Sequence, residues 1–122
     1  MTEAELIGAA SDLAAGVQES VSLYLTVVSA YLIVAYVAGK DLSLFQVMII
    51  HVLFVVFGIS FVFAIQEGLA NHYLFASEIA EIRPDYKVVF TPSIIRILFA
   101  IDTGGVLAAL LFMWNVRHPK IE

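Results

Sequence analysis

The chain contains no cysteine, and only 14% of its 122 residues are charged. The absence of cysteine excludes disulfide bonds, thiolate metal sites and cysteine nucleophiles. A soluble domain typically carries about 25% charged residues, because its surface must be hydrated. Hydrophobic residues make up 61% of this chain, so its composition predicts a membrane protein.

Basic residues are also scarce: the chain has 6 Lys and Arg against 11 Asp and Glu, with a formal net charge of −5. A protein without a basic patch cannot neutralise the phosphates of nucleic acid, so nucleic acid is excluded as a partner. No Lys or Arg precedes Lys40. The first apolar stretch therefore lacks the basic region that opens a signal peptide.

Motifs typical of intramembrane enzymes are missing as well. The sequence contains no HExxH and no GxSxG, and it places no pair of acids and no Ser/His pair at a common depth. We therefore expect a protein that is not an enzyme.

Three apolar blocks, residues 21–38, 44–65 and 94–114, dominate the rest of the chain. As helices they would be about 27, 33 and 31 Å long, and each matches a hydrocarbon core of about 30 Å. They do not alternate polar and apolar residues as the strands of a lipid-facing barrel do. The predicted fold is all-α: one integral membrane domain over residues 1–122, with three transmembrane helices.

The helical period of apolar residues continues beyond the first two blocks. It predicts helix 1 over about 3–38, helix 2 over about 42–83, a linker at 84–91 and helix 3 over about 92–116. Pro84 should end helix 2, and Thr91 with Pro92 should start helix 3. Helices 1 and 2 are then longer than a bilayer, and we expect their extensions to pack on each other on the non-cytoplasmic side.

Orientation follows from the basic residues close to the helix ends. Lys40, Arg117 and Lys120 fall on the side that holds the helix 1–helix 2 turn and the C-terminus. The positive-inside rule then predicts a cytoplasmic C-terminus and an external N-terminus, in the cell (inner) membrane.

Polar and small residues recur every seven positions along helix 1. One series contains three acids and a threonine, and a second contains glycine, alanine and serine. We call the following six residues the polar edge: Glu5, Asp12, Glu19, Ser22, Thr26 and Ser29. Small residues and hydroxyls favour contact with another helix rather than with lipid.

Two interpretations of the polar edge remain open at this point. It packs on helices 2 and 3 of the same chain, or it surrounds a symmetry axis in a homo-oligomer. In the second case, rings of acids would favour cations, and the hydroxyls below them would replace part of an ion's hydration shell.

Asp102, followed by Thr103, lies near the middle of the third apolar block. An ionised acid at that depth costs about 2.5–3.5 kcal/mol on insertion scales, so such residues are usually buried, paired or functional. Asp102 is therefore either a neutral acid bonded to a hydroxyl or a group that handles ions or protons. Its depth matches that of Thr26, so it would join the polar edge if the two faces met.

His51 lies about a third of the way into helix 2 and invites comparison with small membrane subunits that anchor haem or quinone. Haem held by two histidines needs both at one depth on facing helices. His72 lies far along the same helix, and His118 lies beyond the third block. One chain does not supply the pair, and we expect His51 to be a buried neutral histidine and the protein to bind no cofactor.

Three helices enclose too little volume for a permeation pathway, so transport would require several copies. The leading hypothesis is a small homo-oligomeric, pore-like or ion-conducting assembly in the lipid bilayer. The alternatives are a non-conducting accessory subunit of a larger membrane complex and, third, a haem or quinone anchor.

Overall fold

The computed structural model describes residues 1–119, and within that range the chain consists of three helices and no strand. They are α1 (Glu3–Ala38), α2 (Leu44–Ile82) and α3 (Pro92–Arg117). The predicted all-helical fold is confirmed. Lys120, which entered the orientation argument, lies outside the described residues.

Local capping explains where α2 and α3 begin. The Ser43 hydroxyl accepts a hydrogen bond from the Gln46 amide at 3.2 Å, and the Gln46 side chain accepts one from the Ser43 amide at 2.9 Å. This capping box starts α2 two residues later than predicted. Helix α3 starts at Pro92, as predicted, with Thr91 as its N-cap.

All three helices are long and apolar enough to cross a membrane. With 36 and 39 residues, α1 and α2 are about 54 and 58 Å long, whereas the 26 residues of α3 span about 39 Å. Since a hydrocarbon core is about 30 Å thick, α1 and α2 exceed it by several turns.

The main core lies where α1 meets α2 and α3. The rings of Tyr31 and Phe54 stack there with centroids 4.0 Å apart. Gly68 lets α1 and α2 approach closely, because a Cβ at this position would lie 2.6 Å from the Cγ2 atom of Val17. Met113 of α3 is fully buried in the same cluster.

The extensions of α1 and α2 form a second, smaller core. Leu6 and Ala10 of α1 pack with Ile79 of α2, and all three are at most 5% exposed. An ion pair between Glu3 and Arg83 joins the two ends. The expected packing of helix on helix in the extensions is therefore present.

At the opposite end, Arg117 fastens α3 to the α1–α2 turn. One guanidinium nitrogen, Nη1, donates to the main-chain oxygens of Gly39 and Leu42, both at 2.8 Å. These bonds satisfy carbonyls that the end of α1 and the turn leave without a helical partner.

Candidate functional site

The polar edge of α1 lies on the surface of the three-helix bundle. Every one of its side chains is exposed: Glu5, Asp12, Glu19, Ser22, Thr26 and Ser29. From Glu19 to Ser29 the edge extends about 15 Å along the helix axis. It is thus a continuous polar surface that begins in the extension and continues into the apolar part of α1.

The opposite face of α1 packs against α2 and α3. Tyr24, Tyr31 and Ala35 on that face are at most 6% exposed. At about 100° per residue, Tyr24 lies about 160° around the axis from both Ser22 and Thr26. The interpretation that the polar edge packs on helices 2 and 3 of its own chain is therefore wrong.

One hydroxyl of the polar edge already makes a hydrogen bond within α1. The Thr26 hydroxyl donates to the main-chain oxygen of Ser22 at 2.9 Å, one turn earlier in the same helix. This bond satisfies the donor, while the hydroxyl oxygen still offers a lone pair to a cation or to a donor on another helix. The edge therefore presents acceptors outward, and above them the carboxylates of the extension.

Asp102 does not reach the polar edge. Its main-chain oxygen accepts a hydrogen bond of 2.5 Å from the Tyr24 hydroxyl, on the buried face of α1. The expected match in depth holds, because Tyr24 is half a turn from Thr26. The faces do not meet, so the condition under which Asp102 would join the polar edge is not fulfilled.

The carboxyl group of Asp102 has no hydrogen-bond partner among residues 1–119, and the residue is half-buried. The Tyr24 hydroxyl beside it donates to the main-chain oxygen of Asp102 rather than to its carboxyl group. Gly105 lets α1 come close here, since a Cβ at that position would overlap the Tyr24 hydroxyl.

Thr103 faces a different neighbour from Asp102. It is half-buried and lines an apolar groove between α2 and α3, opposite Val55 and Ile59. The two adjacent polar residues of α3 therefore serve separate surfaces, and they do not form one site.

His51 is bonded at both ring nitrogens. Its Nδ1 atom lies 2.8 Å from the main-chain oxygen of Val47, and its Nε2 atom lies 3.3 Å from the Tyr31 hydroxyl. A neutral ring satisfies both contacts by donating from Nδ1 to the carbonyl and accepting at Nε2. His51 pairs with Tyr31 and not with Asp102.

This bonding leaves His51 poorly suited to hold haem iron, because Nε2 would have to give up the Tyr31 hydroxyl. His118 stacks on Trp114 with ring centroids 4.0 Å apart, just after α3 ends. His118 and His51 line one cavity between α2 and α3, together with Leu44 at the start of α2. His51 lies seven residues after Leu44, about 10 Å along the α2 axis. Among residues 1–119, no three side chains of metal-binding type come together.

Sequence reasoning missed Tyr24 and Tyr31, whose hydroxyls make the polar contacts of the interior. The spacing of these two tyrosines in the sequence could have identified them. Both belong to a series at seven-residue spacing that includes Val17 and Ala10, on the face opposite the polar edge. Tyrosine hydroxyls within an apolar helix usually need a partner, so this series marks the packed face.

Comparison with protein-family models, with curated proteins and with solved structures finds no match for this chain.

Proposed function

We propose that this chain is an integral membrane protein whose copies associate through the polar edge of α1 to form a small, cation-conducting assembly. The observation that carries the proposal is the exposure of that edge: the chain's own helices leave it uncovered. Small residues and hydroxyls are typical of helix contacts in membranes, where they allow close approach and hydrogen bonds between helices.

The rest of the bundle surface supports placement in a bilayer. Large apolar side chains cover it on all three helices; Ile33, Val56 and Leu111, for example, are 55–62% exposed. In water such a surface would drive aggregation, whereas acyl chains solvate it. With the N-terminus outside, the acidic extensions lie on the external side and Lys40 with Arg117 lies near the cytoplasmic side.

Around a symmetry axis, the chemistry of the polar edge would vary with depth. Glu5, Asp12 and Glu19 would form acidic rings at the external entrance, and such rings raise the local concentration of cations. Ser22, Thr26 and Ser29 would line the path below and offer oxygens in place of water.

Asp102 has a supporting position in this arrangement. It lies behind α1, linked to it through Tyr24, so it does not line the axis. Its effect on conduction would pass through the position of α1. We therefore assign ion contact to the polar edge and a structural role to Asp102.

An accessory subunit of a larger complex is the second proposal, with the polar edge covered by a helix of a different protein. The exposure of the polar edge supports this proposal equally well. The two proposals differ in copy number, because only the conducting assembly requires several copies of this chain. Neither proposal includes enzymatic activity or a cofactor.

The test is conductance of purified protein reconstituted into vesicles, compared between the wild type, Glu19→Gln and Glu81→Gln. Both glutamates are exposed, but Glu81 lies on α2, away from the polar edge. We expect Glu19→Gln to lower the preference for cations over anions, and Glu81→Gln to leave it unchanged. Equal selectivity in all three proteins would reject the proposed lining, and a monomer without conductance would favour the accessory subunit.

A further inference from the structure

Two adjoining cavities on the α2–α3 seam, on the side away from α1, together make up what we call the α2–α3 groove; its upper part is the one nearer the linker between α2 and α3. Its lower part is apolar, has a volume of about 320 Å³, and is lined by side chains that include Ile59, Phe63, Phe99 and Leu107. Its upper part, of about 330 Å³, is lined by Gln66, Tyr73 and Arg96 among others.

The two parts share one face of each helix. On α2 the lining positions 59, 63, 66, 70 and 73 recur every three or four residues, and so do 92, 96, 99, 103 and 107 on α3. Residues at this spacing lie above one another on a helix. The polar and apolar parts of the groove therefore lie end to end along the same faces of α2 and α3.

The charge of Arg96 and its depth in the membrane indicate what would fill this groove. Arg96 is exposed, and no acid among residues 1–119 forms an ion pair with it. It lies four residues into α3, at the start of the apolar block, where its guanidinium reaches the level of lipid headgroups. From Arg96 to Leu107 the helix rises about 16 Å, close to half of a hydrocarbon core of about 30 Å.

We propose that the α2–α3 groove binds one phospholipid of the outer leaflet, with its phosphate on Arg96 and an acyl chain along the apolar part. A guanidinium binds phosphate through two parallel hydrogen bonds. The side chains of Tyr73 and Gln66 have no hydrogen-bond partner among the described residues and can donate to the same headgroup. The site rests on insertion into the membrane and does not depend on conduction.

The experiment measures phospholipid retained per chain. Protein is reconstituted into vesicles of phosphatidylcholine and phosphatidylglycerol, extracted into mild detergent and analysed by native mass spectrometry. We expect the wild type to retain one phospholipid per chain. Arg96→Gln should retain it with about tenfold lower affinity, as expected for loss of a charge-assisted contact. Lys87→Gln removes a charge from the exposed linker and should retain the lipid like the wild type.

A second pair of variants tests the acyl part. Thr103→Phe fills the groove and should displace the lipid, whereas Ile101→Phe adds a ring on a part of α3 that is 61% exposed and lies outside the groove. Circular dichroism checks that each variant is helical. The proposal is wrong if the wild type retains no phospholipid, or if Arg96→Gln and Thr103→Phe retain as much as their controls.

A helix of a second copy is the competing occupant. Since the chain has no cysteine, Leu107→Cys introduces a single thiol into the groove. No disulfide between copies is expected when lipid fills the groove. An efficient disulfide cross-link between the introduced thiols of two copies in membranes would overturn the proposal and would indicate a dimer through α2 and α3. Failure of conduction would leave the lipid measurement unaffected.

Discussion

The two faces of α1 differ in how their polar groups are satisfied. On the packed face, the Tyr24 and Tyr31 hydroxyls bond to groups of α3 and α2. On the polar edge, the Thr26 hydroxyl bonds only within its own helix. The chain thus completes one face by its own folding and leaves the other for contacts outside the chain.

This difference shows what residue size does along one helix. Tyrosines on the packed face reach across to neighbouring helices, and a glycine such as Gly105 makes room for the hydroxyl of Tyr24. Serine and threonine on the polar edge are too short to reach a distant helix. They can take part only in a contact with a closely approaching helix, or with water and ions.

The largest expected effect on stability comes from filling the space beside Gly105 that the Tyr24 hydroxyl occupies. Gly105→Ala should lower the free energy of unfolding by about 1–2 kcal/mol, because the new methyl group displaces the Tyr24 hydroxyl from the Asp102 carbonyl. Gly104→Ala is the matched control, since no atom lies within 4 Å of a Cβ there. The free energy of unfolding of Gly104→Ala should rise by about 0.5–1 kcal/mol, because alanine has less backbone entropy to lose on folding than glycine. Thermal unfolding in mild detergent measures both, and equal effects would contradict the packing of Tyr24 on α3.

A smaller effect is expected from removing one hydroxyl of the packed face. Tyr31→Phe keeps the stack on Phe54 and loses the contact with Nε2 of His51, at a cost of about 1 kcal/mol. Tyr36→Phe removes a hydroxyl from a residue that is 79% exposed and should change stability little. If the two variants unfold at the same temperature, the bond between Tyr31 and His51 contributes nothing.

The smallest change per residue is expected at the polar edge, and it should affect association rather than folding. Thr26→Leu should weaken self-association by about 0.6 kcal/mol or somewhat more, the measured scale for polar contacts between membrane helices. Ser60→Leu is a close control, because Ser60 is also exposed and also bonds to a carbonyl of its own helix, at 2.7 Å. Analytical ultracentrifugation in detergent compares the two. Equal association would remove the polar edge from the interface.

Sequence reasoning predicted the number of helices and the start of α3 because these depend on local signals: long apolar blocks, Thr91 and Pro92. It placed the start of α2 two residues early because the reciprocal bonds of Ser43 and Gln46 were not considered. Depth along a helix was also predictable, since rise per residue is fixed. The sequence placed Asp102 at the depth of Thr26, which is two residues from Tyr24, the α1 residue whose hydroxyl bonds to the Asp102 carbonyl.

The rotation of α1 about its axis could not be predicted in the same way. Both of its faces follow a seven-residue period, one with tyrosines and one with serine and threonine, and either pattern is compatible with a helix interface. Which of them packs on α2 and α3 depends on whether large residues meet small ones across the contact. That match between Tyr24 and Gly105 is visible only when both helices are in place.

The most direct test of these conclusions is the environment of the polar edge in a membrane. A spin label on Thr26→Cys, compared with one on Leu53→Cys, reports contact with lipid through its accessibility to dissolved oxygen; Leu53 is 52% exposed on α2. We expect the label at position 26 to be much less accessible to oxygen than the label at position 53, because protein or water covers it. Equal oxygen accessibility at the two positions would place the polar edge against acyl chains and contradict the proposed assembly.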